Sequence, residues 1–429
     1  MNYASTRGGA PALGLGAALA AGLAPDGGLY VPQALPRFAT TDFDACEDLP
    51  AVAARLLPPF FAGDALAGEL AAICRETLDL PAPLRRLDER TQSLELFHGP
   101  TAAFKDFGAR FLAGCLARLR PAGATPLTVL VATSGDTGAA VAAAFHRRAG
   151  FRVVILYPDG RVSPRQAHQL GCFGDNVRAL RVAGSFDDCQ ALVKQALNDD
   201  AFKRDVPLAS ANSISLGRLL PQITYHAHAA LAHWRARGAP LNLVVPTGNL
   251  GNALGAVLAR AIGLPIGDIV LATNANRTLP DFFAGSDYAP RASVATLANA
   301  MDVGAPSNFE RLRWLYPDAE ELRRALRAEA IDDHDIRDVL RRARERYGTL
   351  VCPHTATALR VLERLRDAGD QRHHAVVATA HPAKFDTVIE PLLGAAIEVP
   401  PALAALLARP ARAEPLAADY AALRAQLAS

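Results

Sequence analysis

The sequence predicts an α/β protein of more than one domain, with parallel sheets covered by helices behind a mostly helical N-terminal region. Three observations predict it. The chain has 429 residues, beyond the roughly 250–300 that a single hydrophobic core usually serves. Short apolar runs recur without polar alternation, as strands buried on both faces require. Helical patterns follow most of those runs, which implies right-handed strand–helix–strand crossovers.

Taken in order, residues 1 to about 95 read as mostly helical, with Pro/Gly turns near residues 26–28 and 57–59. The stretch APALGLGAALAAGLAP (10–25) has the outline of a leader peptide. It is mostly Ala and Gly with only Arg7 ahead of it, and is read as a packed helix. Strands are expected at LTVLVAT (127–133), RVVILYP (152–158), LNLVVP (241–246), DIVLATN (268–274) and AVVATA (375–380). Helices are expected at 138–148, 164–171, 250–262 and 384–393. No apolar run is long enough for a membrane span.

Composition narrows the function. Half the residues are hydrophobic and the net charge is +2, so no electrostatic case exists for nucleic acid or an anionic membrane. Cys46, Cys74, Cys115, Cys172, Cys189 and Cys352 are far apart. They show no zinc spacing and read as free thiols of a reducing, cytoplasmic compartment. The partner is expected to be a small molecule, and the chain a monomer or homodimer.

In parallel α/β folds ligands bind beyond the carboxyl ends of strands, so the loops after the strands carry the search. TSGDTG (133–138) leads into an Ala-rich helix, where hydroxyls and free N–H groups suit an anion; a plain helix cap is the competing reading. TGNLGN (247–252) joins strand to helix directly and suits a single phosphate. It lacks the Gly-Lys-Ser/Thr of a nucleoside-triphosphate loop and the GxGxxG of a dinucleotide site. In ATAHPAKF, Thr379 ends a strand with its hydroxyl toward the cleft, or caps the next turn.

LFHGPTAAFKDFGARF (96–111) holds Lys105. Of 45 lysines and arginines only Lys105, Lys194, Lys203 and Lys384 are lysines. Lys105 stands among Phe104, Phe107 and Phe111 at a helix start. Aromatic desolvation and the positive end of the helix both disfavour its ammonium. A neutral amine is what Schiff-base chemistry needs, and arginine cannot supply it. The competing reading is a surface lysine lying over the rings. Phosphate loop, hydroxyl and desolvated lysine together suggest pyridoxal phosphate.

These motifs are joined by YASTRG, GLYVP, VVILYPDGRVSP, SANSISLGRLLPQI, ATNANRTLPDF, ANAMDVGAPSNFERL and TAHPAKF. Nearly end to end, the chain resembles the threonine synthases with a long N-terminal domain, within the fold type II pyridoxal-phosphate enzymes (tryptophan synthase β-like). The resemblance implies two α/β lobes behind a helical domain of residues 1–95. Residues 96–119 and 235–429 would form the large cofactor-binding lobe, and 120–234 the small lobe. It implies Lys105 as the catalytic, cofactor-bearing lysine. Gly248, Asn249, Leu250, Gly251 and Asn252 become the phosphate loop, and Thr379 the hydroxyl facing the pyridine nitrogen. Asp136 falls near the cofactor's 3′-oxygen, where it would be protonated or bridged through another group. The implied reaction converts O-phospho-L-homoserine and water to L-threonine and phosphate; a phosphohomoserine lyase and a serine/threonine dehydratase are the alternatives. For the substrate phosphate the candidates are Ser134 with Thr137, Ser163 with Arg165, and Asn212 with Arg218, since guanidinium binds phosphate in two-pronged fashion. No metal is expected.

Overall fold

The computed structural model describes residues 1–121 and 123–428. Its larger sheet has six strands, in the spatial order Arg327–Ala330, Ile266–Thr273, Leu241–Pro246, His374–Ala378, Thr91–Glu95 and Leu84–Arg86. All neighbours pair in parallel except the last two. The smaller sheet has five parallel strands, ordered Glu414–Ala417, Val177–Ala183, Phe151–Pro158, Leu127–Ala132 and Leu208–Ser210. The apolar runs found in the sequence form the central strands of both sheets. Val129, Leu130, Val131, Leu243, Val244 and Val245 are all fully buried, as expected of strands covered on both faces.

Helices fill both faces. Leu216–Arg237 packs against Lys105–Leu119 and Gly251–Ala261, and so joins the chain segments that carry Lys105 and the loop 247–252. Near the N-terminus, Tyr3–Ser5 pairs antiparallel with Tyr30–Pro32. The segment 10–25 contains the helix Leu15–Ala21, which buries Leu15, Ala18 and Leu19. Among the described residues no helix is long and apolar enough to cross a membrane. All six cysteines are free and buried.

Two features differ from the sequence reading. The helical N-terminal region stops short of residue 95: Leu84–Arg86 and Thr91–Glu95 form a hairpin on the edge of the large sheet. Asp88 makes the turn, its Oδ1 accepting from the N–H groups of Arg90 and Thr91. Second, Glu414–Ala417 leaves the large-lobe side of the chain and extends the small sheet beside Val177–Ala183. The N–H of Arg412 donates to the carbonyl of Gly171 and seats it.

Candidate active site

Four loops meet where parallel strands end. The segment after Thr91–Glu95 carries Lys105, and that after Leu127–Ala132 carries residues 133–137. The other two follow Leu241–Pro246 and His374–Ala378. Lys105, Ser134, Asp136, Thr137, Asn212, Arg218, Thr247–Asn252 and Thr379 all line one cavity between the two sheets.

Lys105 opens the helix Lys105–Leu119. The loop before it folds back onto the first helical turn. Thr101 donates through its N–H and its hydroxyl to Asp106, at 2.9 and 2.7 Å. Ala102 adopts φ +55°, a conformation costly to residues with a Cβ. It is held there by its N–H bond to Gly99 and by the N–H of His381, 3.0 Å from its carbonyl. The Phe104 N–H donates to the carbonyl of Thr379 at 2.8 Å. The lysine loop and the Thr379 loop are therefore stitched together. Of the three phenylalanines, only Phe104 meets the ammonium, 5.6 Å from its ring centre; Phe107 packs on Tyr225 and Phe111 on Phe61. Burial pushes the Lys105 ammonium down to about 8, opposed by Asp136 and assisted by Lys384 and Arg218.

Asp136 opens the helix after Gly135, with its carboxylate buried between two lysines. Lys384 Nζ stands 2.8 Å from Oδ1, and Lys105 Nζ 4.0 Å from Oδ2. Gln166 Nε2 also donates to Oδ1, at 3.0 Å. Burial would push the Asp136 carboxyl up, but the two ammonium groups hold it well below the usual carboxylate range. The carboxylate is held at Oδ1 by Lys384 and Gln166 and faces Lys105 through Oδ2. Gly135 is required here: its φ is +131°, and a Cβ would stand 2.6 Å from Gln166.

The loop 247–252 brings its backbone to the cavity. Leu250 adopts the left-handed conformation, φ +63°, and opens Gly251–Ala261 without a side-chain cap. The N–H groups of Leu250, Gly251 and Asn252 make no hydrogen bond among the described residues. Asn249 braces the loop by donating to Ser213 Oγ at 2.7 Å. Asn252 turns its Oδ1 to Tyr225 and His226, each 2.9 Å away. Gly248 is pressed against the chain opposite, where a Cβ would lie 2.7 Å from Met301 Cα. Gly248→Ala is accordingly expected to displace the loop and weaken cofactor binding by about fivefold to about 150-fold, from an overpacking cost of about 1–3 kcal/mol. Titration of the apoprotein with cofactor, followed by absorbance, measures it.

Ser163 and Arg165 are not among the residues lining this cavity, and their polar atoms hold a turn beside it. Ser163 caps the helix Pro164–Gly171 and donates to the carbonyl of Lys384 at 2.9 Å. Arg165 donates to the carbonyl of Ala383 and pairs with Asp386. Arg218 is different. It is 2% exposed, makes no ion pair, and its Nε has no partner among the described residues. Its Nη1 donates to the carbonyl of Ala211, and it lines the cavity with no counter-ion among the described residues. Asn212, beside it, donates to the carbonyl of Ala132 at 3.2 Å.

Lys384, Gln166 and His354 belong to the site but were not singled out in the sequence. His354 lines the cavity and its Nε2 accepts from the N–H of Ala300 at 3.1 Å; burial pushes its imidazolium down to about 4, so it is neutral. His98, near Lys105 in sequence, pairs instead with Glu95 at 2.9 Å.

The groups present fit pyridoxal phosphate: free N–H groups at a helix start for the phosphate, a buried amine for the aldehyde, and a threonine, Thr379, in the cavity wall for the ring. The protein is a fold type II pyridoxal-phosphate-dependent enzyme, and residues 80–383 match the family described as pyridoxal-phosphate dependent enzyme. Residues 2–78 match the threonine synthase N terminus, and 355–427 the threonine synthase C-terminal family. Threonine synthase from Serratia marcescens is 40% identical over 95% of this chain and 94% of its own. The crystal structure of threonine synthase from Escherichia coli superposes with a TM-score of 0.91 at 38% identity, covering 100% of this chain and 99% of that one. The pyridoxal-phosphate-bound threonine synthase from Brucella melitensis gives 0.90 at 34% identity, over 100% and 99%. The chain belongs to the threonine synthase family.

Proposed function

We propose that the chain converts O-phospho-L-homoserine and water to L-threonine and phosphate, as a cytoplasmic monomer or homodimer. The observation that carries this reading is one cavity holding both a buried amine, Lys105, and a buried unpaired guanidinium, Arg218. The first suits proton removal beside an amino acid's carboxylate; the second suits a substrate anion apart from the cofactor phosphate.

Lys105 is proposed to carry the cofactor, with Gly248, Asn249, Leu250, Gly251 and Asn252 around its phosphate, Thr379 at the ring nitrogen and Asp136 near the ring oxygen. When bound, pyridoxal phosphate supplies the electron sink that makes the substrate's Cα–H acidic. Lys105, freed by the substrate amine, takes protons from Cα and Cβ and returns protons to Cγ and Cα. Arg218 and Asn212 hold the phosphate while its bond to Cγ breaks, and the phosphate leaves with the bonding electrons. Ser134 and Thr137 face the same space from the helix start and suit the substrate carboxylate or phosphate. A hydroxyl from water ends on Cβ, and the remaining proton of that water goes to the departing phosphate. Residues 96–119 and 235–429 are proposed to act as the cofactor lobe, apart from the strand Glu414–Ala417, and 120–234 as the lobe that closes on substrate.

Incubation of the holoenzyme with O-phospho-L-homoserine tests the reading: phosphate and threonine are expected in equal amounts. Phosphate with 2-oxobutyrate instead would make it a lyase.

A further inference from the structure

Lys384 is a fully buried lysine in the short turn Pro382–Phe385. Its ammonium has two partners, the carbonyl of Thr101 and Oδ1 of Asp136, each at 2.8 Å. The other oxygen of Asp136 faces Lys105 at the longer distance of 4.0 Å. Ammonium, carboxylate and ammonium thus follow one another inside the protein, on three separate loops. The turn itself is clamped from the small-sheet side, by Ser163 on the carbonyl of Lys384 and by Arg165 on that of Ala383.

We propose that Lys384 is a positioning residue: it claims Asp136, so that Lys105 is left without a close counter-ion and remains reactive as an amine. The proposal rests on the reading of Lys105 as the cofactor-bearing lysine.

Charge logic supports it. A buried carboxylate with one lysine beside it forms a contact pair and stabilises that lysine's ammonium. With two lysines, the one in hydrogen-bond contact takes the carboxylate and the other feels an added cation. Here the contact lysine is fixed from a second side by Thr101, and Gln166 donates to the same carboxylate oxygen. The other titratable or charged groups near this cluster are Arg218, His354, His381, Cys352, Asp106 and Tyr225; burial pushes the His381 imidazolium down to about 4. His354 is neutral, Cys352 is a buried thiol and Tyr225 a buried phenol. Arg218 adds a cation but makes no ion pair with Asp136. Asp106 is occupied by Thr101. None of these replaces Lys384 at Asp136.

The test is covalent capture of pyridoxal phosphate by the full-length apoprotein, followed by absorbance across pH. Lys384→Met keeps length and burial but removes the charge. The midpoint of the capture rate is expected to move up by at least about one pH unit, with a roughly tenfold lower rate below it. A folded Lys384→Met protein whose midpoint stays within about a third of a unit would overturn the proposal. Should Lys384→Met not fold, Asp136→Asn is compared with Asp136→Asn/Lys384→Met, which leaves no buried carboxylate to orphan. A shift between them clearly smaller than that from wild type to Lys384→Met supports action through Asp136; a shift as large or larger overturns it. Lys105→Ala is run alongside. Unchanged covalent capture by that variant would overturn the reading of Lys105 itself, a result separate from an unmoved midpoint in Lys384→Met.

Discussion

Lys105→Ala is expected to lower turnover about 10⁴-fold, the upper end of what a positioned base contributes, and to abolish covalent capture of the cofactor. The fold should survive. Removing the Lys105 ammonium does not orphan Asp136, because Lys384 remains 2.8 Å from its carboxylate. Melting temperature is therefore expected to be unchanged or higher, since a partly desolvated charge has been deleted. The wild-type protein carries a pH signature of the same group. The neutral amine is the reactive form, and the Lys105 ammonium is pushed down to about 8. Its capture rate should rise with pH through about 8 and level above it, whereas an unperturbed lysine would keep rising to about 10.4.

Arg218→Met is the second large effect. Loss of a buried cation from beside a bound phosphate should cost about 3 kcal/mol or more, which lowers kcat/KM roughly 10²-fold. Stability should move the other way. Arg218 is 2% exposed and among the described residues has no ion pair and an unpartnered Nε, and burial pushes its guanidinium down to about 10. A methionine of similar length removes that desolvation cost, so the melting temperature is expected to hold or rise. Weaker inhibition by inorganic phosphate should accompany the kinetic loss. A lower melting temperature with unchanged kcat/KM would make Arg218 a structural residue instead.

The sequence made the central strands legible because each is a compact apolar run, and strand position then located the loops. The loop 247–252 could be found that way, since it stands directly between a strand and a helix; Lys105 was legible instead from the scarcity of lysine and from the phenylalanines around it. The edge strands were hidden for a physical reason. LRR (84–86) and EPLA (414–417) carry charged or proline residues that an edge position tolerates, so neither has a buried-strand pattern. Lys384 was hidden differently. Its partners, Thr101 and Asp136, lie more than 240 residues away in sequence, and nothing local distinguishes a buried lysine from a surface one. Its one signal was scarcity: in a chain with four lysines, two are in the same cluster. Ser163 and Arg165 misled because a hydroxyl and a guanidinium after a strand look alike whether they face a cavity or brace a turn.

That scarcity makes the central claim directly measurable. Borohydride reduction of the holoenzyme fixes the cofactor to the lysine that carries it, and peptide mapping then has four positions to choose among. The label is expected on Lys105 alone. A label on Lys384, the other ammonium beside Asp136, or on Lys194 or Lys203, would contradict the account.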